Sequence, residues 1–166
     1  MTNYKLFNCQ QMFRHACAFA DVADLALEKF RHDTADIEWY TEPAVVNSAF
    51  ACEVFLKALL IFYDVPMNKE HKIEKLFNLL PDEIKDFVKQ TVMINYGGMW
   101  RDPFSCELLK NISDAFVEWR YSYENVGNKR ASLQINIGFL TVFRNALREA
   151  CCHEFFSITW DEYSAN

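Results

Sequence analysis

One segment, residues 43–63, constrains the fold more than any other because it is apolar on almost every side of a helix. Its apolar residues are Val45, Val46, Phe50, Val54, Phe55, Leu56, Leu59, Leu60, Ile61 and Phe62. A helix of this kind belongs in the centre of a bundle or in a subunit interface. Pro43 suits the first helical position, where its missing N–H costs nothing. The sequence therefore predicts a central helix from about Pro43 to Tyr63.

The other segments also have apolar residues at helical spacing. We predict further helices at about residues 8–30, 69–79, 81–96, 102–121 and 131–156, with a loop at 124–130. Only four Gly and four Pro occur in 166 residues, which argues against a turn-rich β-sandwich and against low-complexity disorder. The prediction is a single domain, residues 1–166. Its expected fold is all-α, an up-and-down helical bundle of four main helices plus one or two short helices.

Three charged residues interrupt the apolar central helix, namely Glu53, Lys57 and Asp64. At about 100° per residue they fall within roughly 40° of one another. We therefore expect one narrow polar stripe on this helix.

The charge of the chain limits its partners. It has 17 Lys and Arg against 23 Asp and Glu, a net charge of −6, which disfavours extended salt-driven binding to nucleic acid. Residues 129–153 differ, because Lys129, Arg130, Arg144 and Arg148 outnumber Glu149 and leave a net charge of +3. This region could hold an anion or pair with acidic neighbours in a bundle.

Metal, cofactor and membrane signals are weak. The six cysteines form no C-x-x-C pair, and the chain has neither a Gly-rich phosphate loop nor a Glu-x-x-His pair. The first residues are polar, and the apolar stretch 54–63 is interrupted by Lys57 and too short to cross a bilayer. We expect a cytoplasmic protein with reduced thiols that uses no metal, no cofactor and no membrane.

Three stretches, in order, carry a family pattern. Residues 48–60 read SAFACEVFLKALL, an apolar helix with Glu followed four residues later by Lys. Residues 71–81 read HKIEKLFNLLP, and residues 116–124 read FVEWRYSYE, with an aromatic R-Y-x-Y-E ending. Together they resemble the HEPN superfamily (higher eukaryotes and prokaryotes nucleotide-binding domain) over about residues 43–153. We expect His71 to position the segment before a short helix rather than to act in catalysis.

The resemblance implies a helical bundle that dimerises through its last helices. Many HEPN members are metal-independent ribonucleases of toxin–antitoxin, phage-defence or RNA-processing systems. Their signature is Arg, four to six residues, then His, usually with a polar residue directly after the Arg. The His can take a proton from a ribose 2′-OH or protonate the leaving oxygen. The Arg stabilises charge on the phosphorane.

Arg148 and His153 meet this spacing, and the resemblance implies that they form the catalytic pair. The residue after the Arg is Glu149, whose carboxylate would repel phosphate. Residues five apart on a straight helix point about 140° apart, so one chain alone would not converge both groups on a phosphate. The structural alternative is that Arg148 forms an ion pair and that His153 lies near a helix C-terminus, which favours its charge.

A second candidate site is an aromatic and charged cluster consisting of Arg120, Tyr121, Tyr123 and Glu124. Its rings and guanidinium could stack on a base and clamp a phosphate. In the structural alternative, the Tyr rings close one end of the bundle while Arg120 pairs with Glu53 or Glu118.

Two functions follow from these observations. The first is an RNA-directed protein, a metal-independent ribonuclease effector of a bacterial toxin–antitoxin or antiviral defence system. It would act as a homodimer, and an antitoxin or another protein partner would bind it and control its activity. The second is a non-catalytic HEPN-like module that binds a nucleotide, RNA or a protein partner through the Arg120 cluster.

Overall fold

The computed structural model describes residues 3–32, 37–96, 104, 106–113 and 135–165. These ranges contain seven helices and no strand, so the all-α fold class is confirmed. The helices are α1 (Asn3–His32), α2 (Ile37–Phe62), α3 (Ile73–Leu79), α4 (Asp82–Tyr96), α5 (Cys106–Ser113), α6 (Ile137–Phe156) and α7 (Trp160–Ser164).

Helix α2 lies at the centre of the bundle, as its apolar sequence predicts. It packs most extensively against α1 and also contacts α3 and α6, and α6 in turn contacts α1, α4 and α7. Fully buried aromatic and aliphatic side chains fill the space between these helices, among them Phe13, Phe55, Leu59, Phe139 and Phe143. The segment Trp39–Phe62 is long and apolar enough to cross a membrane, but 61% of the 18-residue stretch that meets this condition is buried inside the protein, as suits a central helix.

The start of α2 differs from the prediction. The helix begins at Ile37, and Pro43 lies inside it rather than at its first position. Proline at this point removes one backbone hydrogen bond, the one to the carbonyl of Trp39. The Trp39 side chain is 76% exposed, so this end of the helix lies at the surface, where water can replace the lost bond. The first turns therefore continue past the proline.

Helix α6 also begins later than predicted, at Ile137 rather than Ala131. Asn136 caps it: its side-chain oxygen accepts hydrogen bonds from the Phe139 N–H at 2.9 Å and from the Tyr96 hydroxyl at 3.0 Å. The cap therefore depends on a residue of α4, which a local pattern does not reveal. The predicted end at Phe156 is confirmed, and Ser157 follows in the left-handed conformation with φ 58°.

Some of the remaining helix ends agree with the prediction and others differ from it. Helix α4 begins and ends where Pro81 and Gly97 predict, whereas α1 begins before Asn8 and α3 begins after Lys69. Helix α5 lies inside the helix predicted over 102–121, whose end falls outside the described residues, as does the predicted loop 124–130. Helix α7 was not predicted, although the capping box of Thr159 and Glu162 marks its start in the sequence.

Candidate functional site

Arg148 lies at the junction of α6, α1 and α7, where it is 9% exposed. Its guanidinium carbon is 3.9 Å from the centroid of the Trp160 ring, a cation–π contact. One terminal nitrogen donates to the Asn145 side-chain oxygen at 3.3 Å, and the buried Nε has no hydrogen-bond partner among the described residues. Burial, together with the charge of Arg144, lowers the pKa of Arg148. The α7 helix therefore covers this guanidinium.

His153 is exposed and lies beside α4. Its ring stacks on Phe87 with centroids 5.7 Å apart, and its Nδ1 is 3.1 Å from Glu154 Oε1. The Tyr63 hydroxyl donates to the other oxygen of Glu154, and burial and this carboxylate raise the pKa of Tyr63. Glu154 is thus held between a tyrosine and the imidazole.

The structure does not bring Arg148 and His153 together within one chain. Arg148 faces Trp160, whereas His153 faces Phe87. This divergence agrees with the helical geometry of residues five apart. Within the part of the chain that the structure describes, Arg148 contacts a ring and an amide rather than the carboxylate expected in its structural alternative, and His153 does lie near the C-terminus of α6. The catalytic role of the pair stays a prediction.

Arg144, one turn earlier on α6, is completely buried and joins three helices. One terminal nitrogen donates to Asp24 of α1 at 2.6 Å. The other donates to the Ser48 hydroxyl of α2 at 3.1 Å and to the Ala20 carbonyl of α1 at 3.3 Å. The sequence left two alternatives for the basic region, binding of an anion and pairing with acidic neighbours. Arg144 pairs with an acidic neighbour, Asp24.

The sequence held a signal for the importance of Arg144, because Asn145 directly follows it. An Arg followed by a polar residue is how the HEPN signature begins. Positions 149–151, where that signature would place its His, are Glu, Ala and Cys. Without that His, the sequence pattern does not mark Arg144 as a site residue.

A second polar cluster involves Glu53, Lys57 and His71. Glu53 Oε1 lies 2.7 Å from Lys57 Nζ and 2.9 Å from His71 Nδ1. Asp64 is not part of this cluster, because α2 ends before it and it pairs with Lys5 at 2.6 Å instead. The predicted stripe is therefore correct for Glu53 and Lys57 and wrong for Asp64. His71 was missed as their partner because the contact spans the connection between α2 and α3.

The cysteines whose side chains the structure describes are buried and free, and they are Cys9, Cys17, Cys52, Cys151 and Cys152. Burial raises the pKa of Cys17, Cys52 and Cys152 to about 12, so these thiols are neutral at physiological pH. No group of three or more His, Cys, Asp or Glu side chains in the described part of the chain could hold a metal ion.

The other candidate cluster, Arg120, Tyr121, Tyr123 and Glu124, lies outside the described residues, as do Lys129 and Arg130. Its nucleotide-binding role and its structural alternative both stay predictions.

Comparison with known proteins identifies the family. A family model described as the HEPN domain matches residues 10–138. The matched range includes Arg120, Tyr121, Tyr123 and Glu124 and ends before Arg148. Neither the curated proteins nor the solved structures give a match to the chain. Because the matched range covers well over half of the 166 residues and the fold is an all-α bundle, this chain belongs to the HEPN domain family.

Proposed function

We propose that this HEPN domain is a non-catalytic module that binds a nucleotide or RNA, and that it does not use Arg148 and His153 to cleave RNA. The observation that carries this proposal is the position of Arg148 beneath Trp160. A catalytic arginine must direct its N–H groups at the charge that develops on the phosphorane. Here the guanidinium faces an indole ring.

The surroundings of Trp160 support this covered position. Its ring lies 5.8 Å from Tyr163 and 6.4 Å from Phe13, and its backbone N–H donates to Glu149 at 3.0 Å. Exposing Arg148 would break these contacts as well as the cation–π contact. In a dimer, Trp160 would cover Arg148 in each subunit in the same way.

The proposed binding residues are Arg120, Tyr121, Tyr123 and Glu124. Their support is the sequence pattern, in which an Arg stands among aromatic residues, and their place within the matched HEPN range. Stacking on tyrosine tolerates any base, and an arginine adds a phosphate contact.

Fluorescence anisotropy with labelled single-stranded RNA, and competition by AMP, tests this proposal. We expect RNA to bind, and Tyr121→Ala and Arg120→Ala each to weaken binding by about tenfold, the order expected for one lost stacking or charged contact. Arg14→Ala, an exposed position on α1, is the control and should bind like the wild type. Absence of binding, or equal binding by all variants, would contradict the proposal.

The second candidate is a metal-independent ribonuclease that serves as the effector of a toxin–antitoxin or phage-defence system. One observation favours it: Glu154 holds Nδ1 of the exposed His153, an arrangement that suits an acid or base. RNA cleavage in EDTA by the wild type, lost in His153→Ala and kept in His15→Ala, would support this candidate over the binding module.

The partners and location also belong to the proposal. A homodimer through the last helices would have few exposed residues of α6 to use, because only Gly138 and His153 of that helix are exposed. An antitoxin or another protein partner, and a cytoplasmic location, are proposed with the ribonuclease candidate. Sedimentation equilibrium of the wild type and of Gly138→Lys tests the dimer: a dimer through this surface should dissociate in the variant.

A further inference from the structure

Helix α1 is apolar on the face turned away from the core as well as on the face that packs in the bundle. Four of the eight large hydrophobic side chains that are exposed among the described residues belong to this helix: Tyr4 is 76% exposed, Phe7 54%, Val22 48% and Leu25 63%. Ala18, which lies between them, is also exposed. At about 100° per residue the five residues fall within roughly 60° of one another. They form one apolar stripe along the outer face of α1.

The outward positions of α1 repeat at alternating spacings of four and three residues. They are Tyr4, Asn8, Gln11, His15, Ala18, Val22, Leu25 and Lys29. This is the spacing at which two helices contact each other along their length. At 1.5 Å per residue, the positions extend over about 38 Å. A long and narrow surface of this kind fits another helix.

Two charges of opposite sign lie on one side of the stripe. Arg14 and Asp21 are both exposed, are two helical turns apart, and form no ion pair with the described residues. When two identical helices pack antiparallel across a two-fold axis, the same side of each helix meets. Arg14 then lies beside the partner's Asp21, and the symmetry gives this ion pair twice. In a parallel pair, each charge would instead lie level with its own copy.

The antiparallel arrangement also matches the apolar residues. With Arg14 beside the partner's Asp21, Phe7 lies beside the partner's Leu25. Tyr4 lies beside the partner's Lys29, where the ring and the ammonium group can form a cation–π contact. Ala18 lies close to the axis, and its small side chain lets the two backbones approach. Apolar and charged residues therefore agree on one alignment of the helices.

A second copy of the chain is the partner that this face fits best, because its two halves complement each other. The N-terminal half carries the aromatic residues and Arg14, whereas the C-terminal half carries the aliphatic residues and Asp21. A reversed copy brings each half against the other. The last helices offer less surface, since only Gly138 and His153 of α6 are exposed.

We propose that the outer face of α1 binds a second copy of this chain, with the two α1 helices antiparallel across a two-fold axis near Ala18. This interface is separate from the Arg120 cluster and from the last helices. The proposal does not rest on the binding of a nucleotide or RNA.

The test is sedimentation equilibrium of the full chain at concentrations up to about 1 mM, at which even a weak dimer is populated. We expect the wild type to form dimers. Leu25→Glu should weaken association by at least about tenfold, because it places a charge in an apolar contact twice per dimer. Ile94→Glu is the matched control, since Ile94 is 79% exposed but lies on α4, and it should associate like the wild type.

Three results would overturn the proposal. They are a wild type that stays monomeric, equal association by Leu25→Glu and Ile94→Glu, and a wild type that forms open-ended assemblies larger than a dimer. Circular dichroism of each variant checks that the fold is retained, which is expected because both side chains are exposed.

Charge reversal tests the antiparallel alignment. Arg14→Glu and Asp21→Arg should each weaken the dimer, because each brings like charges together, and the double variant should restore it. Arg14→Ala should change association only slightly, since a single exposed ion pair contributes little. A double variant that associates no better than the single variants would overturn the alignment.

One further variant separates this interface from a dimer through the last helices. Gly138→Lys should leave the α1 dimer intact. A dimer that dissociates in Gly138→Lys and persists in Leu25→Glu would overturn the role of α1. RNA binding, measured by anisotropy, should be the same for Leu25→Glu and the wild type, so the two proposals can fail separately.

Discussion

Arg144 and Arg148 are one turn apart on α6, yet their surroundings differ. Arg144 is completely buried and donates to Asp24, to a hydroxyl and to a carbonyl. Arg148 contacts a ring and an amide and keeps an unsatisfied Nε. A buried charge is tolerated only when it is paired and hydrogen-bonded, and Arg144 meets that condition better. Arg144 is therefore the arginine on which the fold depends.

Arg144→Ala should lower the free energy of unfolding by about 3 kcal/mol, because it leaves a cavity and removes the hydrogen-bond partners of Asp24 and Ser48. Urea denaturation followed by circular dichroism measures the change. Arg14→Ala, at an exposed position of α1, should stay within about 0.5 kcal/mol of the wild type. A loss below about 1 kcal/mol in Arg144→Ala would mean that the buried network contributes little.

At the scale of the helices, the sequence predicted their existence and type better than their ends. The apolar residues of α2 and the proline and glycines around α4 act locally, so their consequences could be predicted. The start of α6 could not be predicted, because it depends on contacts of Asn136 with residues of other helices. The Tyr96 hydroxyl donates to the Asn136 side chain, and the Asn136 backbone N–H donates to the side-chain oxygen of Asn111 at 3.3 Å. These contacts exist only after the helices have packed.

Asn136→Ala should therefore lower the free energy of unfolding by about 1–2 kcal/mol, the upper range for a helix cap. It removes the acceptor of both the Phe139 N–H and the Tyr96 hydroxyl. Thermal and urea unfolding check the value. Asn95→Ala is the control, since among the described residues that exposed side chain bonds only to a carbonyl of its own helix, and it should change stability by less than about 0.5 kcal/mol.

The connection between α2 and α3 should make stability depend on acid pH. Backbone N–H groups and Lys75 lower the pKa of Glu70 from 4.5 to about 2. A carboxyl whose pKa is lower in the folded state stabilises the protein above its unfolded pKa, and the stabilisation is lost as the pH falls toward the folded value. The difference in unfolding free energy between wild type and Glu70→Gln should therefore shrink between about pH 4.5 and pH 2. A constant difference over this range would contradict the role of Glu70.

At the scale of the whole molecule, α1, α2, α4 and α6 share one core, and this arrangement decides which side chains reach the surface. The sequence placed Arg148 and His153 on one helix but could not show that α7 covers the first and that Phe87 of α4 supports the second. Likewise, the sequence shows that Glu53 and Lys57 lie four residues apart on one helix face. The contact of His71 with Glu53 arises only when the chain folds. Sequence patterns therefore do not predict which residues of different helices come together in a site.

We propose that this HEPN domain binds RNA without cleaving it at Arg148 and His153. The most direct measurement follows a labelled RNA pool with the purified protein in EDTA, recording the bound fraction and any 2′,3′-cyclic phosphate ends in the same sample. We predict bound RNA with no cyclic ends in the wild type and in His153→Ala. Cyclic ends produced by the wild type and lost in both His153→Ala and Arg148→Ala would contradict this account and establish the ribonuclease.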